Sequence, residues 1–157
     1  MKSTSKGSGM HSLFDLFFLL SFFPMLANSI SDIRTMKVDE RNHSFILGVV
    51  AAFYLLNNRG IQVLIFSILA SVFSTLVAKW LYLAEGDKNA LFVLFFGYFL
   101  FPFQFVTFVC FLILADAVLV FLIWRGILPN KRYPFYPFIT AAHFMNYVFW
   151  VAASLQS

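Results

Sequence analysis

Two acids in this chain stand where apolar stretches end, and what they could do together is the first question the sequence poses. Asp32 lies in Ser31-Asp32-Ile33-Arg34 and Asp87 in Ala84-Glu85-Gly86-Asp87-Lys88. Two carboxylates within hydrogen-bond reach cannot both ionise cheaply, because each raises the other's cost of charging and a low-dielectric surround adds desolvation. Such a pair shares a proton and titrates as a unit. The carboxylate member can take a proton from water while the acid member protonates a peptide carbonyl oxygen, the chemistry by which an aspartic pair hydrolyses an amide. A single acid at the end of an apolar stretch is usually a solvated helix end. The pair therefore carries meaning only if the rest of the chain brings both acids to one place.

The elements that must do so are membrane helices. Of 157 residues, 61% are hydrophobic, 11% are charged and 23 are Phe. A soluble chain carries about 25% charged residues, and long uncharged apolar runs are the mark of transmembrane helices. One transmembrane domain is expected over residues 12–157. Residues 1–11, small, polar and glycine-containing, have the composition of a disordered tail. A cleavable signal peptide is the competing reading of this start, and Asp15 inside the apolar region argues against it. The net charge of +4 is read as cytoplasmic loop charge rather than as a nucleic-acid surface. Cys110 stands alone, which excludes intrachain disulfides and cysteine zinc sites. His43 and His143 lack paired ligands at helical spacing, so no metal is expected.

Polar breaks divide the apolar sequence into an all-α fold of about six transmembrane helices. The spans are residues 12–30, 45–56, 61–84, a long run 90–124 divided at Phe101-Pro102-Phe103-Gln104, and 138–153. Pro24 marks a kink in the first. Ser67, Ser71, Ser74 and Thr75 give the third a small, polar face for close helix contact. With six spans, the breaks at 31–44, 85–89 and 125–137 share one side. That side holds Arg34, Lys37, Arg41, Lys79, Lys88, Arg125, Lys131 and Arg132, which is eight of the 11 basic residues, and is therefore cytoplasmic. Asp32 and Asp87 fall on that same face by span counting and charge alone.

Asp32-Ile33-Arg34 after a span, with Lys37 and Val38 following, resembles the first motif of the type IV prepilin peptidases and archaeal preflagellin peptidases, D-x-R-x-x-x-I-P-N. Gly86-Asp87-Lys88 is similar to their second motif, G-x-G-D or G-A-D followed by V-K. Tyr133-Pro134-Phe135-Tyr136-Pro137-Phe138-Ile139 looks like the I-P-F-x-P-F that opens their final helix. Val38-Asp39-Glu40 stands where I-P-N is usual, and Glu85 where a small residue is common. The resemblance implies a small, single-domain, cofactor-free aspartic endopeptidase with Asp32 and Asp87 as its catalytic acids. It further implies a multi-pass protein of a prokaryotic cytoplasmic membrane that cuts the leader from prepilin-like or preflagellin-like substrates. The four-cysteine insertion of the larger bifunctional members is missing, so no methyltransferase activity is implied.

Arg34, Gly86 and Lys88 are the candidate substrate contacts: the two cations for an acidic or polar leader, and Gly86 because a residue without a side chain lets another backbone approach. Asp116, an acid inside a span, is costly to place there and marks either a buried hydrogen-bonded support or a proton or cation path. A small proton-coupled transporter or channel using Asp116 is thus the alternative from another class. A non-catalytic relative that binds pilin-like segments is the second alternative.

Overall fold

The computed structural model describes residues 6–56, 60–80, 83, 85–127 and 135–155, and every regular element among them is helical. The order is α1 (Lys6–Thr35), α2 (Glu40–Leu56), α3 (Gly60–Trp80), α4 (Glu85–Tyr98), α5 (Pro102–Trp124) and α6 (Tyr136–Ser154). Six helices match the number of apolar stretches. The helices run beyond those stretches at several ends, because capping and helix propagation rather than hydropathy decide where a helix stops. α1 begins at Lys6, so 6–11 are helical where composition gave a disordered tail.

The same effect shortens both polar breaks of interest. Asp39 Oδ1 accepts the Arg41 N–H at 2.9 Å, an N-cap that starts α2 five residues ahead of the apolar run from Phe45. α4 starts at Glu85, with Glu85 and Asp87 in its first turn, where the partial positive charge of the helix end favours carboxylates. Asp32 and Asp87 are therefore carried on helix ends and not on loops. Between α1 and α2 only four residues remain. Met36 turns the chain there in the left-handed region, at φ 54°, with its N–H on the Asp32 carbonyl at 2.9 Å.

The long apolar run breaks where Pro102 was expected to break it. Phe101 donates to the Tyr98 carbonyl at 2.8 Å, and Pro102 opens α5, where its missing N–H costs nothing. α4 is the central helix. From Ala90 to Tyr98 all its side chains but Phe92 are buried, and it packs against α2, α3, α5 and α6. A helix apolar all round is stable only inside such a bundle. α1 closes the bundle against α2 and α6.

α5 differs, burying only the stripe Gln104, Phe108, Leu112 and Leu119. Its outer face, and those of α1, α2, α3 and α6, expose large apolar side chains such as Phe23, Leu56, Ile68, Trp124 and Phe149. Hydroxyl, amide and imidazole groups are meanwhile buried: Ser21, Asn28, Ser29, His43, Thr140, His143 and Asn146. Water favours the reverse arrangement. Two helical segments, Leu13–Thr35 and Pro102–Trp124, are long and apolar enough to cross a membrane, and Ile65–Lys79 is a shorter apolar helix.

Candidate active site

The inward stripe of α1 runs Ser21, Met25, Asn28, Asp32, stepping by three and four residues so that all four face the bundle. Asn28 organises the loop that follows. Its amide oxygen accepts from Asp39 N–H at 3.2 Å and from the Asn42 amide at 2.7 Å, and its amide nitrogen donates to the Asp39 carbonyl at 3.2 Å. Residues 36–39 are thus tied back to the helix that carries Asp32. Ser29, one step round, is hydrogen-bonded to Thr140 of α6 at 2.7 Å.

Gly86 meets this loop from the other side. A Cβ built on Gly86 would run into Cγ2 of Val38, so the glycine lets the start of α4 seat against the 36–39 segment. The residues that depart from I-P-N thereby have structural work: Val38 fills the space beside Gly86, Asp39 caps α2 and Glu40 lies in its first turn.

Tyr136, fully buried at the start of α6 and ahead of the apolar run from Phe138, carries a hydroxyl that the charges of both acids reach. Its hydroxyl lies 3.3 Å from the Asn28 amide nitrogen, which donates to it, and 3.0 Å from His43 Nε2. Burial raises the ionisation of this phenol above its ordinary value, the Asn28 hydrogen bond works against that, and the charges of Asp87 and Asp32 raise it further. Both carboxylates are thus within electrostatic reach of one hydroxyl. The backbone N–H of Tyr136 also faces the Asp32 carboxyl. Asp32 is 7% exposed and Asp87 5%. Burial holds the His43 imidazole below its ordinary value despite the opposing charges of Glu40 and Asp39, so the ring is neutral at pH 7.

Two buried side-chain polar atoms have no hydrogen-bond partner among the described residues, and both belong to this cluster: Asp32 Oδ2 and His43 Nδ1. Buried polar groups are nearly always satisfied, so these two atoms are places for a water, an ion or a substrate group.

The proposed substrate contacts do not converge in the same way. Arg34 is exposed on the last turn of α1. Lys88 pairs with Glu85 one turn back on α4, a surface ion pair with Glu85 73% exposed, and lines a hollow against α3 with Lys79 and Thr75. Gly86 is covered by Val38. Of Tyr133-Pro134-Phe135-Tyr136, the first two residues lie outside the described residues, as do Lys131 and Arg132. No group of three metal-ligating side chains occurs among the described residues.

Sequence reasoning missed Asn28, and it passed over Tyr136 and His43 as members of the cluster. The contacts that reveal them join residues 108 and 93 positions apart, which no local pattern encodes. The available signal was weak: Asn28 falls one helical turn before Asp32. Comparison with protein-family models, curated proteins and solved structures finds no match.

Proposed function

We propose that this chain is a membrane aspartyl endopeptidase of the prepilin-peptidase type. In this reading the six helices are six membrane spans, and the acids work at the cytoplasmic face, where the positive loop charge gathers. The observation that carries it is that Asp32 and Asp87, both buried on helix ends, are each within electrostatic reach of the Tyr136 hydroxyl, and that Asp32 Oδ2 has no partner among the described residues.

The chemistry follows from that arrangement. The two carboxyls share a proton in a poorly solvated site. Water between them loses its proton to the carboxylate and attacks the peptide carbon, while the protonated partner gives its proton to the carbonyl oxygen. As the C–N bond breaks, the carboxyl that took the water proton gives it to the leaving amine, and the other takes a proton from the diol hydroxyl, so that the pair again holds one proton. Helix ends hold the acids more rigidly than loops would, which suits a reaction that tolerates little misplacement. Asn28 and Val38 support this geometry by fixing the 36–39 segment against α1 and α4. Arg34, exposed beside the site, is the contact best placed to meet a polar or acidic leader. A membrane-edge site suits a substrate whose polar leader joins an apolar helix at the cytoplasmic surface.

The direct experiment reconstitutes the full chain in liposomes with a prepilin-like or preflagellin-like protein and follows leader removal by mass. One cut at the junction between polar leader and apolar helix is expected. Binding of the substrate with no cut over hours would overturn the enzyme reading.

A further inference from the structure

α3, α4 and α5 line a second feature, away from the acid cluster, that opens on the outer side of the bundle, where Phe73 and Ile113 are exposed and Asp116 is half-buried. A cavity of about 290 Å³ is lined by Phe73 and Val77 of α3, Phe95 of α4, and Phe105, Val109 and Asp116 of α5. Every lining residue except Asp116 is apolar. No hydrogen bond or ion pair engages Asp116 among the described residues. An acid that supported the bundle would be tied to a neighbouring helix, as Asn146 of α6 is to the Gln104 carbonyl at 3.0 Å.

We propose that this cavity binds a primary amine carried on a short apolar tail. An ionised carboxylate without a counter-charge is costly in an apolar surround, and a neutral one still requires a hydrogen-bond partner. An alkylammonium supplies both charge and donors at Asp116. Its tail fills a wall whose aromatic rings, Phe73, Phe95 and Phe105, also attract a cation. A plain acyl chain would fit the wall but leave the carboxyl unmet. Asp116 sits about 12 Å along α5 from its end at Trp124, at 1.5 Å per residue, too deep for the amine of a lipid headgroup to reach with its phosphate still at the surface. A free lipophilic amine is therefore the class of ligand.

The test uses the full chain in maltoside micelles, with n-octylammonium and n-octanol as matched probes in calorimetric titrations. Octylammonium is expected to bind at least about tenfold more tightly than octanol, the scale of one close charge pair. Asp116→Asn should erase that preference while leaving octanol binding unchanged, and Val109→Phe, which fills the cavity, should weaken both probes. Equal affinity for the two probes in the unaltered protein would overturn the proposal, as would a preference for octylammonium that survives Asp116→Asn or affinities that Val109→Phe leaves unchanged. Phosphatidylethanolamine should not displace octylammonium; displacement would overturn the assignment to a free amine.

Discussion

Two of the buried polar clusters in the bundle are built from similar side chains, and they differ in how completely they are satisfied. In the middle of the bundle, His143 lies fully buried, with Nδ1 2.6 Å from the Tyr98 hydroxyl and Nε2 2.9 Å from Ser21 Oγ. Ser21 also lies 2.7 Å from the Phe17 carbonyl, and the rings of Phe17, Phe18 and Phe108 surround the imidazole. Both ring nitrogens are engaged, so this histidine has no lone pair to offer a metal or substrate. Around Tyr136, by contrast, a histidine nitrogen and a carboxylate oxygen are buried with no partner among the described residues. A closed network specifies a fold, whereas an open one leaves room for a water, an ion or a substrate group.

The contrast predicts opposite consequences for substitution. His143→Ala should be chiefly a folding defect, because it opens a cavity and takes the imidazole partner from the buried Tyr98 hydroxyl. A loss of about 3–5 kcal/mol is expected in reversible unfolding from mixed micelles. Tyr136→Phe should leave the fold largely intact, costing about 1–2 kcal/mol for the lost hydroxyl, yet slow leader cleavage by about tenfold or more. If Tyr136→Phe proved as destabilising as His143→Ala and no slower per folded molecule, the distinction between the clusters would fail.

Gly86→Ala probes the contact between the two acid-bearing elements. The added methyl meets Val38, and overpacking of this kind costs about 1–3 kcal/mol. Val38→Ala in the same chain should recover most of that loss; a double variant no better than Gly86→Ala would show that the two residues are not in contact.

A further prediction concerns pH. His43 has its ionisation lowered by burial, so its contribution to stability is complete above its unfolded value of about 6.5 and is lost as pH falls below that toward the folded value. Part of the acid sensitivity of unfolding should therefore vanish in His43→Gln. An unchanged profile would remove His43 from the account.

How much of this was legible in the sequence depends on the range of the information. The all-helical architecture, the break at Pro102 and the positions of Asp32 and Asp87 at the ends of apolar runs follow from local composition and spacing, and all three recur in the structure. The helix starts were harder to read. Hydropathy assigned Asp87 to a loop, while acid placement at a helix N-terminus put it in the first turn of α4. The Asp39 cap likewise took His43 out of the loop and into α2. Lys88 as a substrate contact was plausible from charge alone, but its neighbour three residues back on the helix competes for it. The meeting of Asn28, His43 and Tyr136 depends on how α1, α2 and α6 pack, and three residues far apart in sequence carry no shared local pattern.

The central claim is that Asp32 and Asp87 act as one catalytic unit, and the measurement that addresses it most directly is the rate of leader cleavage in Asp32→Asn, Asp87→Asn and the double variant, each reconstituted and checked for native-like unfolding. Residues that act as a unit are strongly non-additive. Either single change is expected to abolish cleavage within detection, and the double variant to be no worse. Cleavage near the unaltered rate by either single variant would contradict the account.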